Sequence, residues 1–177
     1  GNHAAETAVA GQRCALNLAG TGVRKQDIRR GDWVLAAGAH APTTRVDARI
    51  RVLAGEARAL AHWTPAHLHL GAADTTCRIA VLGAKAIPPG GECLAQLVLD
   101  RPLGALHGDR LILRDQAARR TIAGGHVVDP FPPRRGRARP ERLGRLTALE
   151  QPDAQACMQS LLDLDSGGLD LDGFARA

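Results

Sequence analysis

Apolar and polar residues alternate through most of residues 12–128, and this period of two constrains the fold more than any other feature. It is clearest in residues 45–52, where every second residue from Val46 to Val52 is apolar and those between are charged. A strand of this kind buries one face and leaves the other in water, as in antiparallel sheets. The charged face, which includes Asp47 and Arg49, is therefore predicted to be exposed.

Six segments carry this strand pattern, and glycine, proline and aspartate separate them. They are residues 45–52, 66–70, 76–82, 92–99, 109–114 and 120–128. Closing a sheet of short antiparallel strands into a barrel removes its unpaired edges. The sequence therefore predicts a mainly β chain, with a six-stranded antiparallel β-barrel over residues 43–129. Gly124-Gly125, within the last strand, is interpreted as a bulge or kink.

Two further strand-like segments precede this barrel, at residues 12–18 and 33–36. We interpret residues 1–42 as the incomplete end of an earlier barrel, because a chain without an initiator methionine is expected to be a fragment. Three outcomes remain open for these strands: they fold onto the barrel, swap between chains or stay loose.

The composition changes at Asp129-Pro130. Prolines 130, 132 and 133 disfavour regular structure, and arginines follow at 134, 135, 137 and 139. Residues 130–139 are predicted to be a basic linker that either contacts RNA or is kept extended by charge repulsion. Helices are predicted from Pro140 and over residues 152–164, so that residues 140–177 form a short helical segment, the start of a further domain.

Positive charge is concentrated in the larger part of the chain. Residues 1–149 carry 22 Lys and Arg against 12 Asp and Glu, whereas residues 150–177 carry one against six. A basic surface attracts polyanions through counterion release. The chain has only four aromatic residues, which disfavours a base-stacking platform and favours contacts with phosphates and with duplex shape. A solvated basic surface without a partner is the alternative.

Several chemistries have no motif in this sequence. No Gly-Lys pair occurs, so there is no P-loop, and neither G-x-S-x-G nor H-E-x-x-H is present. No apolar run approaches the ~18 residues of a membrane span. The four cysteines lack C-x-x-C spacing and are interpreted as buried free thiols. His67 and His69 alternate on one strand. We interpret them as exposed polar residues of that strand, in preference to ligands of a metal-dependent hydrolase site. No catalytic residue and no metal site are predicted.

Residues 10–35 combine an Ala-Gly pair, an alternating strand, a glycine and Asp27-Ile-Arg-Arg-Gly31 before a second apolar strand. This order resembles the close of domain II in translational GTPases of the elongation factor Tu type. Residues 67–74 resemble the domain III hairpin that carries a Thr-Thr-Asp motif, with Ala72-Ala73 in place of the threonines. Residues 114–124 resemble the closing hairpin of the same domain.

The spacing from Arg114 to Asp129 and the segment Pro132-Pro-Arg-Arg-Gly-Arg137 resemble the bacterial selenocysteine-specific elongation factors in particular. The resemblance implies the end of domain II in residues 1–42, an elongation factor Tu domain III-like barrel in 43–129, a linker in 130–139 and the start of a winged-helix region in 140–177. It implies a non-catalytic fragment of a cytoplasmic factor that carries selenocysteinyl-tRNA to the ribosome. GTP and Mg²⁺ would bind the GTPase domain, and an mRNA hairpin would bind later winged helices, all outside this chain.

The resemblance also points to candidate tRNA contacts. Arg114, Arg119 and Arg120 are the first candidates for phosphate contacts, with His67, His69 and Arg78 behind them. The linker arginines Arg134, Arg135, Arg137 and Arg139 are further candidates. The alternative function is a structural spacer that docks the GTPase domain, orients the winged helices and has little RNA affinity of its own.

Overall fold

A computed structural model describes residues 4–165 and 167–176. Its main feature is a closed antiparallel barrel in the order β1-β6-β4-β3-β7-β8, in which β8 also pairs with β1. The strands are β1 (Thr43–Val52), β2 (Leu60–Ala61), β3 (Thr64–Leu70), β4 (Ala73–Val81), β5 (Ala86–Ile87), β6 (Glu92–Leu103), β7 (Arg110–Arg114) and β8 (Thr121–Asp129). The predicted six-stranded barrel is confirmed. The two-residue strands β2 and β5, which form a small separate sheet, were not predicted.

Alternating apolar residues fill the interior of the barrel. Every barrel strand contributes at least one fully buried side chain: Ile50, Leu68, Ile79, Leu97, Leu113 and Val127. Burial of each such side chain stabilises the fold by about 1.5–3 kcal/mol. Gly124 and Gly125 lie in regular register with both neighbouring strands, and the bulges of β8 lie on either side of them. The prediction of a bulge at the glycine pair is therefore wrong in position.

Three helices follow the barrel: α1 (Pro140–Leu149), α2 (Ala154–Leu164) and α3 (Leu171–Arg176). Pro140 begins α1 at a position where its missing N–H costs nothing, and the Asp153 carboxylate caps α2 by accepting from the Ala156 N–H at 2.9 Å. A second apolar cluster joins these helices to the outside of the barrel. It contains Leu82, Leu94, Val128, Leu146, Ala148, Leu149, Cys157 and Leu161. Each helix among the described residues is too short or too polar to span a bilayer.

This packing overturns the prediction that the charged face of β1 lies in water for Asp47 and Arg49, whereas Arg51 on the same face is exposed as predicted. Asp47 is completely buried, and the side chain of Arg49 is 27% exposed. The reason is that α1 and residues 130–133 lie against the outside of β1 and β6, where polar residues of the strands meet polar residues of the added segment.

The predicted strands at 12–18 and 33–36 are also wrong. Within residues 4–42 the structure has only two 3-10 turns, Lys25–Asp27 and Ala37–Ala39. A strand needs a neighbour to satisfy its backbone groups, and the closed barrel offers no free edge. This segment nevertheless touches the barrel at Gly31, where an added Cβ would lie 3.0 Å from the Cα of Ala73.

The four free cysteines differ in accessibility. Cys77 and Cys157 are buried and Cys93 is partly buried, but Cys14 is exposed, contrary to the prediction of buried thiols. Burial raises the pKa of Cys77 to about 12, so at pH 8 almost none of it is the reactive thiolate. We expect dithionitrobenzoate at pH 8 to modify Cys14 quickly and Cys77 only after unfolding in urea. Peptide mass spectrometry would measure this; equal labelling of both in the native chain would contradict it.

Candidate nucleic-acid interface

The outer surface of the barrel has a covered part and an open part. The helices and residues 130–133 lie against β1, β6 and β8 through the second apolar cluster and several polar contacts. On β4, β3 and β7, by contrast, outward residues remain accessible: Arg78 and Arg110 are exposed and Ile112 is 49% exposed. We call the outward residues Arg78, His67, His69, Arg110 and Arg114 the open face.

Strand register brings the predicted residues of the open face together. His67 on β3 lies opposite Arg114 on β7 and opposite Thr76 on β4. Arg78 follows Thr76 by two residues on the same face of β4, opposite Pro65. Because neighbouring strands lie about 4.8 Å apart, Arg114, His67 and Arg78 belong to one basic patch.

The β7–β8 hairpin holds its arginines in a defined backbone geometry. The carboxylate of Asp115 accepts hydrogen bonds from the backbone N–H groups of Arg119 (2.7 Å) and Arg120 (3.4 Å). These bonds, with that from Arg119 the strongest, hold the pKa of Asp115 below its ordinary value. Arg114 Nη2 also donates to the Arg119 carbonyl at 3.0 Å. The hairpin is thus cross-linked by Asp115 and Arg114.

The two arginines at the hairpin tip differ in availability. Arg119 is exposed, and its guanidinium has no ion-pair partner within the described part of the chain. Arg120 donates to Glu56 and lies 3.8 Å from Asp115. Arg119 is therefore the freer cation, whereas Arg120 would have to exchange a protein partner for a phosphate.

Residues 130–139 are packed and turned rather than extended. The Arg137 guanidinium lies 5.5 Å from the centroid of the Trp63 ring, a cation–π contact, and Gln96 donates to the Pro133 carbonyl at 3.5 Å. Gly136 has a φ of 74°, and its carbonyl accepts from the Arg139 N–H at 3.1 Å. The prediction that charge repulsion keeps this linker extended is therefore wrong. Arg134, Arg135 and Arg139 are exposed, but Arg137 is engaged with the barrel.

Comparison with known proteins identifies the barrel. The family described as "Selenocysteine-specific elongation factor, beta-barrel domain" matches residues 47–134, from β1 into the basic linker. The chain belongs to the selenocysteine-specific elongation factor family. It is 41% identical over 176 residues to the selenocysteine-specific elongation factor of Escherichia coli K12, covering 99% of this chain and 26% of that protein.

Two further factors of the same name are similar. That of Haemophilus influenzae is 34% identical over 150 residues (84% of this chain, 23% of the relative), and that of Desulfomicrobium baculatum is 31% identical over 128 residues (72% and 20%). The chain thus spans about a quarter or less of the length of these curated relatives.

The geometry of this elongation-factor barrel argues against the metal-site alternative at His67 and His69. Cys77, a nearby residue type that could ligate a metal, points into the barrel interior, away from the outward histidines. Asp74 lies opposite His69, but no cluster of three His, Cys, Asp or Glu side chains suited to a metal occurs among residues 4–165 and 167–176. The Nε2 atom of His69 is buried and has no hydrogen-bond partner among the described residues.

Sequence reasoning missed a buried polar cluster on the covered side of the barrel. Asp47 of β1, Gln96 of β6 and Asp129 of β8 meet Arg142 of α1. Burial raises the pKa of Asp47 above its ordinary value, although hydrogen bonds from Arg142 and Gln96 oppose the rise. The alternation pattern marked Asp47 only as polar, and no local signal links it to a residue 95 positions later.

Proposed function

We propose that this chain is a non-catalytic part of a selenocysteine-specific translation elongation factor and helps to bind selenocysteinyl-tRNA through the open face. In this proposal the factor works in the cytoplasm with the ribosome, and GTP and Mg²⁺ bind a GTPase domain outside this chain. Residues 43–129 act as its domain III, residues 1–42 end domain II, and residues 140–177 begin the winged helices that lead to the mRNA-hairpin reader. Residues 130–139 connect domain III to the start of the winged-helix region.

One observation carries the tRNA proposal: the helices occupy one side of the barrel, while the basic residues predicted from sequence meet on the side left open. Arg78, His67 and Arg114 lie on three adjacent strands, and Arg119 lies on the hairpin that follows Arg114. A basic patch with few aromatic side chains suits the phosphates of an RNA duplex more than unstacked bases. The exposed linker arginines Arg134, Arg135 and Arg139 would extend this contact.

Removal of one charge from the open face and one from the adjoining β7–β8 hairpin tests the proposal. We expect Arg78→Gln combined with Arg119→Gln to weaken binding of selenocysteine tRNA and to reduce the slope of log K against log[salt] by about 1.4–1.8, the contribution of two phosphate contacts. Neither side chain has an ion pair among residues the structure describes, so the fold should be unaffected. Binding would be measured by fluorescence anisotropy at two salt concentrations.

The matched control removes two exposed arginines that lie outside both the open face and the β7–β8 hairpin, Arg13→Gln and Arg51→Gln. The same loss of net charge should leave most of the affinity and nearly the whole salt slope. Equal losses in the two double variants would contradict a localised interface. Feeble binding that does not distinguish selenocysteine tRNA from an elongator tRNA would favour the structural spacer, the function suggested by the firm packing of the helices on the barrel.

A further inference from the structure

Two carboxylates face one another where the barrel closes. Asp47 of β1 and Asp129 of β8 are register partners next to a bulge, since the following residue, Ala48, already pairs with Val127. Like charges directly opposite one another on adjacent strands destabilise a sheet. Asp47 is completely buried and the Asp129 side chain is only 13% exposed. Such a pair requires a cation from another part of the chain.

Arg142 of α1 supplies that cation. Its Nη2 atom lies 2.5 Å from Asp47 Oδ2 and 2.6 Å from Asp129 Oδ2, and its Nε lies 3.2 Å from Asp47 Oδ2. Gln96 occupies the other oxygen of Asp47 by donating from Nε2 at 2.9 Å. The guanidinium is a rigid planar set of donors, and two of its nitrogens, Nε and Nη2, donate to Asp47 while Nη2 also donates to Asp129, so its orientation is restricted as well as its distance. A lysine ammonium has no such fork.

The other end of α1 is also tied to the barrel. Glu150, directly after the helix, accepts from Arg49 Nε of β1 at 2.8 Å and lies 3.6 Å from His126 Nε2 of β8. Arg142 and Glu150 are eight positions apart, about 12 Å along a helix. Leu146 and Leu149, which are buried against the barrel, lie between these two polar contacts. The helix is therefore held at two separate points along its axis.

We propose that Arg142 is a positioning residue: the Asp47–Asp129 pair is its receptor on the barrel, and together they fix α1 and α2 in one orientation relative to the open face. Apolar burial stabilises the contact but is non-directional, whereas an arginine shared by two strands admits one rotation of the helix. The barrel and the helices then move as a single body. This inference goes beyond the proposed function and does not depend on RNA binding.

Amide hydrogen exchange of the whole chain, resolved by residue, tests this role. Arg142→Lys keeps the charge but removes the fork. We expect amides of α1 and α2 to exchange at least about tenfold faster in this variant while amides of the barrel strands keep their native rates, which is the signature of a local opening. Arg145→Lys is the matched control, because Arg145 lies on the same helix and has no ion pair within the described residues; its rates should be native.

Two other results would overturn the inference. A similar acceleration in helices and barrel strands would mean that Arg142 only stabilises the fold as a whole. Native rates throughout the Arg142→Lys variant would mean that the apolar cluster positions α1 without the guanidinium.

Discussion

Replacement of Arg142 by methionine is expected to lower the free energy of unfolding by about 3–5 kcal/mol, because it leaves two facing carboxylates without a cation. Asp47 is fully buried and cannot recover its hydration in the folded chain. The methionine retains much of the apolar stem that packs against the barrel, so lost packing contributes little. Urea unfolding followed by circular dichroism would measure the loss.

Two further variants separate the buried charges from other effects. Asp47→Asn and Asp129→Asn added to Arg142→Met should recover most of the lost stability, since no buried charge remains unpaired. Arg145→Met makes the same side-chain change on the same helix and should stay within about 0.5 kcal/mol of the native value. A loss below about 1 kcal/mol for Arg142→Met, or a triple variant no more stable than the single one, would show that the cluster is not energetically coupled.

The stability deficit of Arg142→Met should also depend on pH. The pKa of Asp47 is raised mainly by burial, so the folded chain binds this proton more tightly than the unfolded chain does. Its ionisation therefore makes folding less favourable as the pH rises through that pKa. Without Arg142 the pKa rises further. The difference in the free energy of unfolding between the Arg142→Met variant and the native chain should be largest near pH 7. It should narrow as the pH falls toward about 4, and urea unfolding at several pH values would measure it.

Gly125→Ala is expected to prevent normal closure of the barrel and to lower the free energy of unfolding by at least about 3 kcal/mol. Gly125 lies between Ile50 of β1 and Leu111 of β7. A Cβ at this position would overlap the carbonyl oxygen of Arg49 and lie 3.1 Å from the Cα of Ile50. Both are backbone atoms, which cannot rotate away as a side chain can, so the β1–β8 pairing would have to separate.

Gly124→Ala is the matched control, one residue earlier in the same strand. Its added Cβ would lie 3.5 Å from the Leu111 carbonyl oxygen, an ordinary contact. Because alanine loses less backbone entropy than glycine on folding, this change should be neutral or stabilising by up to about 1 kcal/mol. Urea unfolding and the dispersion of amide proton shifts would compare the two variants. Equal stability would show that close approach at Gly125 does not limit closure.

The sequence by itself determined the strands and the inner face of the barrel. Alternation is a local property. Every second residue is apolar around Val46 and Ile50 in β1 and around Leu68 in β3, and a pleated strand sends every second side chain to the same side. The basic residues of the candidate interface came from the family resemblance and not from alternation, and strand register then placed Arg114 beside His67.

Tertiary structure alone decided what covers each outer face and which strands have partners. Asp47 and Arg78 both look like solvent-facing charges, yet one is buried beneath Arg142 and the other is exposed. The difference arises from contacts between residues 95 and 101 positions apart, Asp47 with Arg142 and Arg49 with Glu150, which no short-range pattern encodes. Residues 12–18 have a strand pattern and form no strand, because hydrogen bonds in a sheet require a neighbouring strand.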